Sequence, residues 1–222
     1  MGRRSLAAVA FVGLTALAGA LALRSPDAPA ARAKMSCGGD RWSVKTLTDG
    51  RADRIRLRPK QVSVAQLVSD QKPRGLTSER AKGRIELQVF RFTALLREAQ
   101  NEGDGDIHLV VIDPRHPAVT MIAEFPSPTC TRGAPANLRR QMSEARAGFL
   151  RACGGADLLY GVATITGVGF WDNPYAPGAA PNGIELHPIL GFTGGCSCGA
   201  STTTSCWPTP TRTVVAPTRP PS

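Results

Sequence analysis

The sequence has no G-x-S-x-G turn, no phosphate-cradling glycine loop and no dinucleotide fingerprint. Its three histidines (His108, His116 and His187) have no nucleophile motif beside them. These absences set aside the common serine and cysteine hydrolases, the P-loop enzymes and the nucleotide-dependent oxidoreductases. No C-x-x-C occurs either. C-S-C at 196–198 is too short for a dithiol redox pair, and with no histidine nearby it makes a poor half of a zinc site. Aromatic residues are scarce, at 5%. None is interleaved with the arginines of "RIRLR" (54–58), so a base-stacking platform is missing there.

What is present describes an exported chain. It has 222 residues, 42% of them apolar, enough for one buried domain with extensions, and its 18 prolines and 23 glycines imply many turns. Residues 1–33 read as a signal peptide. Arg3 and Arg4 precede the uncharged run "LAAVAFVGLTALAGALAL" (6–23), and small-x-small sites follow it. An uncleaved N-terminal membrane anchor is the alternative, although alanine and glycine leave the run weakly hydrophobic. No cysteine ends the run, which argues against a lipid anchor. The expected location is therefore secreted, periplasmic or cell-envelope, with no membrane association after cleavage. All six cysteines (37, 130, 153, 196, 198 and 206) lie beyond this segment. In an exported protein they point to disulfides, and six cysteines leave fifteen pairings open.

The net charge of +10 is unevenly placed. Residues 34–83 carry +7, whereas residues 84–192 carry −2. The basic part reads as an extended strap lying on an acidic domain and held partly by charge complementarity. Within it Arg54, Arg56 and Arg58 share one strand face, with Ile55 and Leu57 on the other. Binding of nucleic acid through that face is the third-ranked function. Residues 193–222, rich in Ser, Thr, Pro and Cys, read as a disordered tail.

Residues 84–192 alternate in patterns that predict five strands and one helix. The strands fall at 84–98, with a bulge where the period breaks near Phe90, and at 106–113, 118–126, 160–172 and 183–192. The helix covers about 136–152, with Leu138, Met142, Ala145 and Phe149 as its apolar stripe and Arg139, Arg140 and Arg146 away from it. The order β-β-β-α-β-β is that of an OB-like five-stranded barrel. The fold class is thus mainly β with one helix, preceded by the strap.

Three separated blocks carry a resemblance: "CGGDRW-S-VKT-L-TD" (37–49), "DGDIHLVVID…TMIAEFPSPTC" (104–130) and "TGVGFWD…APNGIELHPIL" (166–190). They resemble a group of exported bacterial proteins of unassigned function, over about Cys37 to Phe192. The resemblance implies that Cys37 pairs with Cys130, pinning the strap to the end of the third strand. It implies no activity, and Cys153 and the tail cysteines lie outside the shared pattern.

The stretch "GDGDIHLVVID" (103–113) poses the functional question. Asp106 and His108 share one face of the second strand, as do Glu185 and His187 on the fifth. Two carboxylates and two imidazoles suit metal binding or acid–base chemistry. In an OB order, however, the third strand lies between the two pairs. The expectation is that they stay apart on exposed faces of half-buried strands, with Glu124 able to reach toward either. The acidic turn at 98–106 reads as a solvated loop rather than a calcium site, since the EF-hand spacing is missing. The preferred function is an exported, non-catalytic binding or structural module with no cofactor and no metal. Its contact surface is expected on the loops at 98–106 and 171–182, through Trp171, Asp172, Tyr175 and Asn182. Its expected partner is an extracellular carbohydrate or protein rather than nucleic acid. The alternative is a divalent-metal hydrolase of phosphodiesterase or nuclease type using Asp104, Asp106 and His108 with Glu185 or His187.

Overall fold

The computed structural model describes residues 37–154 and 157–196. The expected signal peptide, most of the expected tail, and Cys198 and Cys206 lie outside the described residues. The chain is mainly β with one long helix. Two helical turns, α1 (Trp42–Lys45) and α2 (Val64–Val68), flank a short strand, β1 (Arg56–Gln61). Three long strands follow, β2 (Gln88–Asn101), β3 (Ile107–Asp113) and β4 (His116–Phe125). Then come the helix α3 (Ala136–Cys153) and the strands β5 (Leu158–Trp171) and β6 (Ile184–Gly195).

These elements form one six-stranded mixed sheet in the order β1-β2-β3-β4-β6-β5. β2 also pairs antiparallel with β5 from Val89–Val168 to Glu98–Leu158, so the pairings return to β2. β4 and β6 run parallel, with α3 and β5 between them in the chain; β5, antiparallel to β6, carries the chain back across. The bulge expected near Phe90 lies farther along. Register slips between Leu96 and Glu98 against both β3 and β5, where β2 pairs with the two strands at once.

Alternation sorts the strand residues into two sets. Ile107, Leu109 and Val111 of β3, Met121, Ala123 and Phe125 of β4, and Ile184 and Leu186 of β6 join the main core. α3 adds Ala145 and Phe149, and the rings of Phe125, Phe149 and Phe192 stand 4.9–5.9 Å apart. A second core lies on the other side of the sheet, where Leu47, Ala52 and Ile55 meet Leu138 and Met142 of α3 over Val89, Val168 and Leu190. Strands buried on both faces are the result: every residue from Ile184 to Leu190 is buried.

The segment before β2 is less extended than its composition suggests. α2 begins with a reciprocal cap, in which Ser63 Oγ accepts from Gln66 N and Gln66 Oε1 accepts from Ser63 N. Arg54 sits in a single 3-10 turn, and Leu57 is exposed rather than packed beneath the arginines. β1 is an edge strand, and its exposed Arg56, Arg58 and Lys60, with Pro59, discourage a further chain from adding to it. Ion pairs tie this segment down. Arg41 donates to both oxygens of the fully buried Glu86, and Lys45 Nζ lies 2.7 Å from Asp172.

Two disulfides join distant parts of the chain. Cys37 is bonded to Cys130, the pairing that the resemblance implies, and Cys153 to Cys196. The second one corrects the expected tail boundary. Residues 193–195 continue β6, and Cys196 is tied to the end of α3. Both bonds suit an oxidising, extracellular setting. Among the described residues no helix is long and apolar enough to cross a membrane.

Candidate functional site

The residues opposite the core on β3, β4 and β6 form a row. His108 is the direct ladder partner of Glu124. β6 runs in the register Ile122–Glu185 and Ala123–Leu186, which sets Glu124 level with His187. The expectation that β4 separates the two acid–histidine pairs is therefore overturned. Neighbouring strands are only about 4.8 Å apart, so a side chain on the middle strand reaches both sides. Glu124 does this. One of its oxygens lies 3.2 Å from His108 Nδ1, and the other lies 2.9 Å from His187 Nδ1.

More carboxylates complete the cluster. His187 Nε2 is 3.4 Å from Asp106 Oδ2, and His187 Nδ1 is 3.4 Å from Glu185 Oε1. His108 Nδ1 also lies 3.2 Å from Glu102, whose side chain is 42% exposed and marks the outer edge of the group. The rest is covered, which corrects the expectation of exposed faces: Asp106 and His187 are 0% exposed, Glu124 and Glu185 4%, and His108 6%. α1 and β5 contribute to the cover. Lys45 bonds Asp172 and stands over the Phe170 ring, which in turn meets His187 edge-on at 5.9 Å.

Burial alone would drive these groups neutral, yet their charges support one another. The imidazoles and Lys45 outweigh the burial of Glu124 and hold its carboxyl far below the usual range. Burial and the charge of Glu124 push Glu185 up to about 7. His108 resists its own burial through Glu102 and Glu124 and is pushed up to about 9. His187 is likewise raised, against complete burial, chiefly by Glu124. Lys45 is raised in the same way by Glu185, Glu124 and Asp172.

Close approach is not the same as hydrogen bonding here. The ring N–H directions of His187 miss the nearby carboxylates. Both of its nitrogens, Asp106 Oδ2 and Glu185 Oε1 are therefore left buried without a hydrogen-bond partner. The other Asp106 oxygen is well used: Oδ1 accepts from Ser127 N at 2.7 Å. Asp104 belongs to the turn rather than to the row. It is half-buried, its Oδ1 accepts from Asp106 N at 3.0 Å, and burial pushes its carboxyl up. Arg146, expected to face solvent, instead donates to the carbonyls of Phe125 and Gly105 and clamps the turn in place.

The expected contact surface is only partly available. Trp171 is buried, at 2% exposed, with its ring in the core, because β5 extends through it. The Asn182 amide donates to the carbonyls of Leu67 and Asp70 and its oxygen accepts from Ile184 N, so it anchors the loop to α2. Asp172 is paired with Lys45. Tyr175 alone of the four is fully presented, at 88% exposed. Beside this loop lies a cleft of about 280 Å³, whose lining includes Asp40, Arg41, Lys72, Thr77 and Asn173. The arginines at 54, 56 and 58 are exposed and lie apart from this cleft's lining.

Sequence reasoning missed Lys45 and Glu102. Lys45 comes from a segment some sixty residues before the row it covers. Glu102 sits at the start of the turn beside His108, a proximity the acidic composition hinted at. Comparison with protein-family models, with curated proteins and with solved structures finds no match.

Proposed function

We propose that this chain is an exported, non-catalytic binding or structural module built on an OB-like five-stranded barrel. The barrel reading is supported by the neighbours of β2 to β6. Numbered from β2, the strands follow the circuit 1-2-3-5-4-1, with the third and fifth parallel and a helix between the third and fourth. Export is supported by the apolar leader at 1–33 and by the two disulfides.

One observation carries the non-catalytic reading: Asp106, His108, Glu124, Glu185 and His187 are at most 6% exposed. A general acid or base must come within about 3 Å of the proton it moves, and a substrate has no such approach to His187 or Asp106. A hydrolase using Asp104, Asp106, His108, Glu185 and His187 needs the covering α1 segment to leave. The open surface is the loop around Tyr175 with its adjoining polar cleft. An aromatic face beside amide, ammonium and carboxylate groups suits a carbohydrate or a peptide. Nucleic acid is disfavoured because the basic strand β1 has no aromatic partner and already serves as a guarded sheet edge.

The test is a panel of soluble oligosaccharides and peptides followed by amide chemical shifts of the folded domain. Perturbations centred on Tyr175 and Asn173, lost in Tyr175→Ala, are expected. Turnover of a phosphodiester or ester that disappears in His187→Gln would overturn the reading. So would a salt-dependent DNA complex lost on neutralising Arg56 and Arg58.

A further inference from the structure

The geometry points to a buried divalent-metal site at the start of β3 and on β4 and β6, with Asp106, Glu124 and His187 as its protein ligands and Glu185 beside them. It goes beyond the module reading and is independent of what the Tyr175 loop binds.

The first support is donor spacing. One ligand atom from each of Asp106, Glu124 and His187 lies within 4.8 Å of the others. Bonds of about 2.0–2.2 Å to a central ion place neighbouring donors roughly 3 to 3.5 Å apart and opposite donors at just over 4 Å. With His187 binding through Nδ1, its separations of 2.9 Å from Glu124 and 3.4 Å from Glu185 are edges of that kind, and through Nε2 the 3.4 Å to Asp106 is one.

The second support is independent of spacing. Asp106 Oδ2, Glu185 Oε1 and both nitrogens of His187 are buried and unpartnered. Leaving one such group without a partner costs about 1–3 kcal/mol, and four gathered in one place call for a common explanation. A cation accepts lone pairs from the two carboxylate oxygens and from one ring nitrogen of His187, the other nitrogen keeping its proton, without requiring any N–H to point at an oxygen. Orienting contacts of the sort that support metal ligands are also present: Asp106 Oδ1 is held by Ser127 N, and the second oxygen of Glu124 faces His108.

The donor set selects the ion. One imidazole with two or three carboxylates suits Zn²⁺, Mn²⁺ or a similar first-row metal. Ca²⁺ needs six to eight oxygens, and Mg²⁺ keeps several waters, which a fully covered site does not readily accommodate. The ion fastens the three strands together and offers no open coordination position to substrate. The Lys45 ammonium bonds Asp172 and acts on Glu185 and Glu124 through its charge from the covering side. Glu102, His108 and Glu124 form a second trio at the exposed edge, and Glu124 belongs to both. That edge is the side from which an ion enters.

The untagged full domain, stripped with EDTA, is to be titrated separately with Zn²⁺, Mn²⁺, Co²⁺, Ca²⁺ and Mg²⁺. At least one equivalent of a first-row metal is expected to survive gel filtration. Tm is expected to rise by about 5 °C or more at a hundredfold excess over Kd. Asp106→Asn keeps the oxygen that accepts from Ser127 and removes only the free one, so affinity falls at least tenfold. Glu102→Gln retains the inner ion. In the wild type, ring ¹⁵N shifts of His187 move with Zn²⁺ while those of His116 do not, a readout needing no variant. No retained metal together with no Tm shift overturns the site. So does metal binding that survives both Asp106→Asn and Glu124→Gln, or that leaves the His187 ring unmoved.

Discussion

Glu124 stands between two histidines, with one carboxylate oxygen 3.2 Å from His108 and the other 2.9 Å from His187. Three strands contribute one residue each to this row, and the ladder register alone brings them level. The charge on Glu124 favours the protonated form of both imidazoles, against the burial that opposes it. In EDTA at pH 7, Glu124→Gln is expected to lower stability by about 3–5 kcal/mol, the cost of leaving buried charges without their partner. Urea unfolding measures it, and a loss below about 1 kcal/mol would show that the row is not electrostatically coupled.

Arg80 is a second buried charge with a different role. It is 1% exposed and donates to the carbonyls of Val44 and Glu86 and to both carboxylate oxygens of Asp49. It holds the segment before β2 in its folded path over the sheet. Arg80→Met is expected to cost about 3–5 kcal/mol, since the Glu86 carbonyl loses its Arg80 donor while Val44 O keeps only Leu47 N and Asp49 only Arg51 N. Arg80→Lys should recover little, because an ammonium cannot reproduce the planar fork. Full rescue by lysine in a denaturation curve would contradict this account.

Asp113 links the β3–β4 turn to α2. Burial raises its carboxyl, but amide donors from Ala65, Arg115 and His116, with the His116 ring, outweigh that and hold it below the usual range. The folded carboxyl is therefore more acidic than the unfolded one. Its ionised form stabilises the fold above the unfolded pKa of about 3.9, and this contribution is lost as pH falls through the lower folded value. Asp113→Asn should cost about 1–2 kcal/mol at pH 7. The gap between variant and wild type should narrow as pH drops below about 3.9, and a gap independent of pH would refute the assignment.

The disulfides close long loops, with sequence separations of 93 residues for Cys37–Cys130 and 43 for Cys153–Cys196. Loop entropy alone gives an upper figure of about 4.7 kcal/mol for the first and about 4 kcal/mol for the second. The paired replacement Cys37→Ala with Cys130→Ala should therefore destabilise at least as much as Cys153→Ala with Cys196→Ala. Urea midpoints of the two double variants, compared with fully reduced wild type, check the order. A near-neutral result for the first pair would mean that the segment carrying Cys37 is held by its ion pairs instead.

The mainly β architecture, the helix and its apolar stripe were legible because each rests on local periodicity. Alternation through Ile107, Leu109 and Val111 marks a strand, and the spacing of Leu138, Met142, Ala145 and Phe149 marks a helix, wherever the rest of the chain lies. Boundaries were less so. β2 starts at Gln88 rather than at 84 because residues 84–87 turn to bring Glu86 under Arg41. β6 runs on to Gly195 because Cys196 is bonded to α3.

The sequence by itself determined that Asp106 and His108 share a face, and that Glu185 and His187 share another, because a strand's period is two. It also placed the cysteines beyond the apolar leader. Only the tertiary structure decided that those faces meet across Glu124 and that α1 with Lys45 covers them. Proximity between strands depends on register, and burial of an outer face depends on which distant segment folds over it. Neither quantity is encoded in the alternation of a single strand.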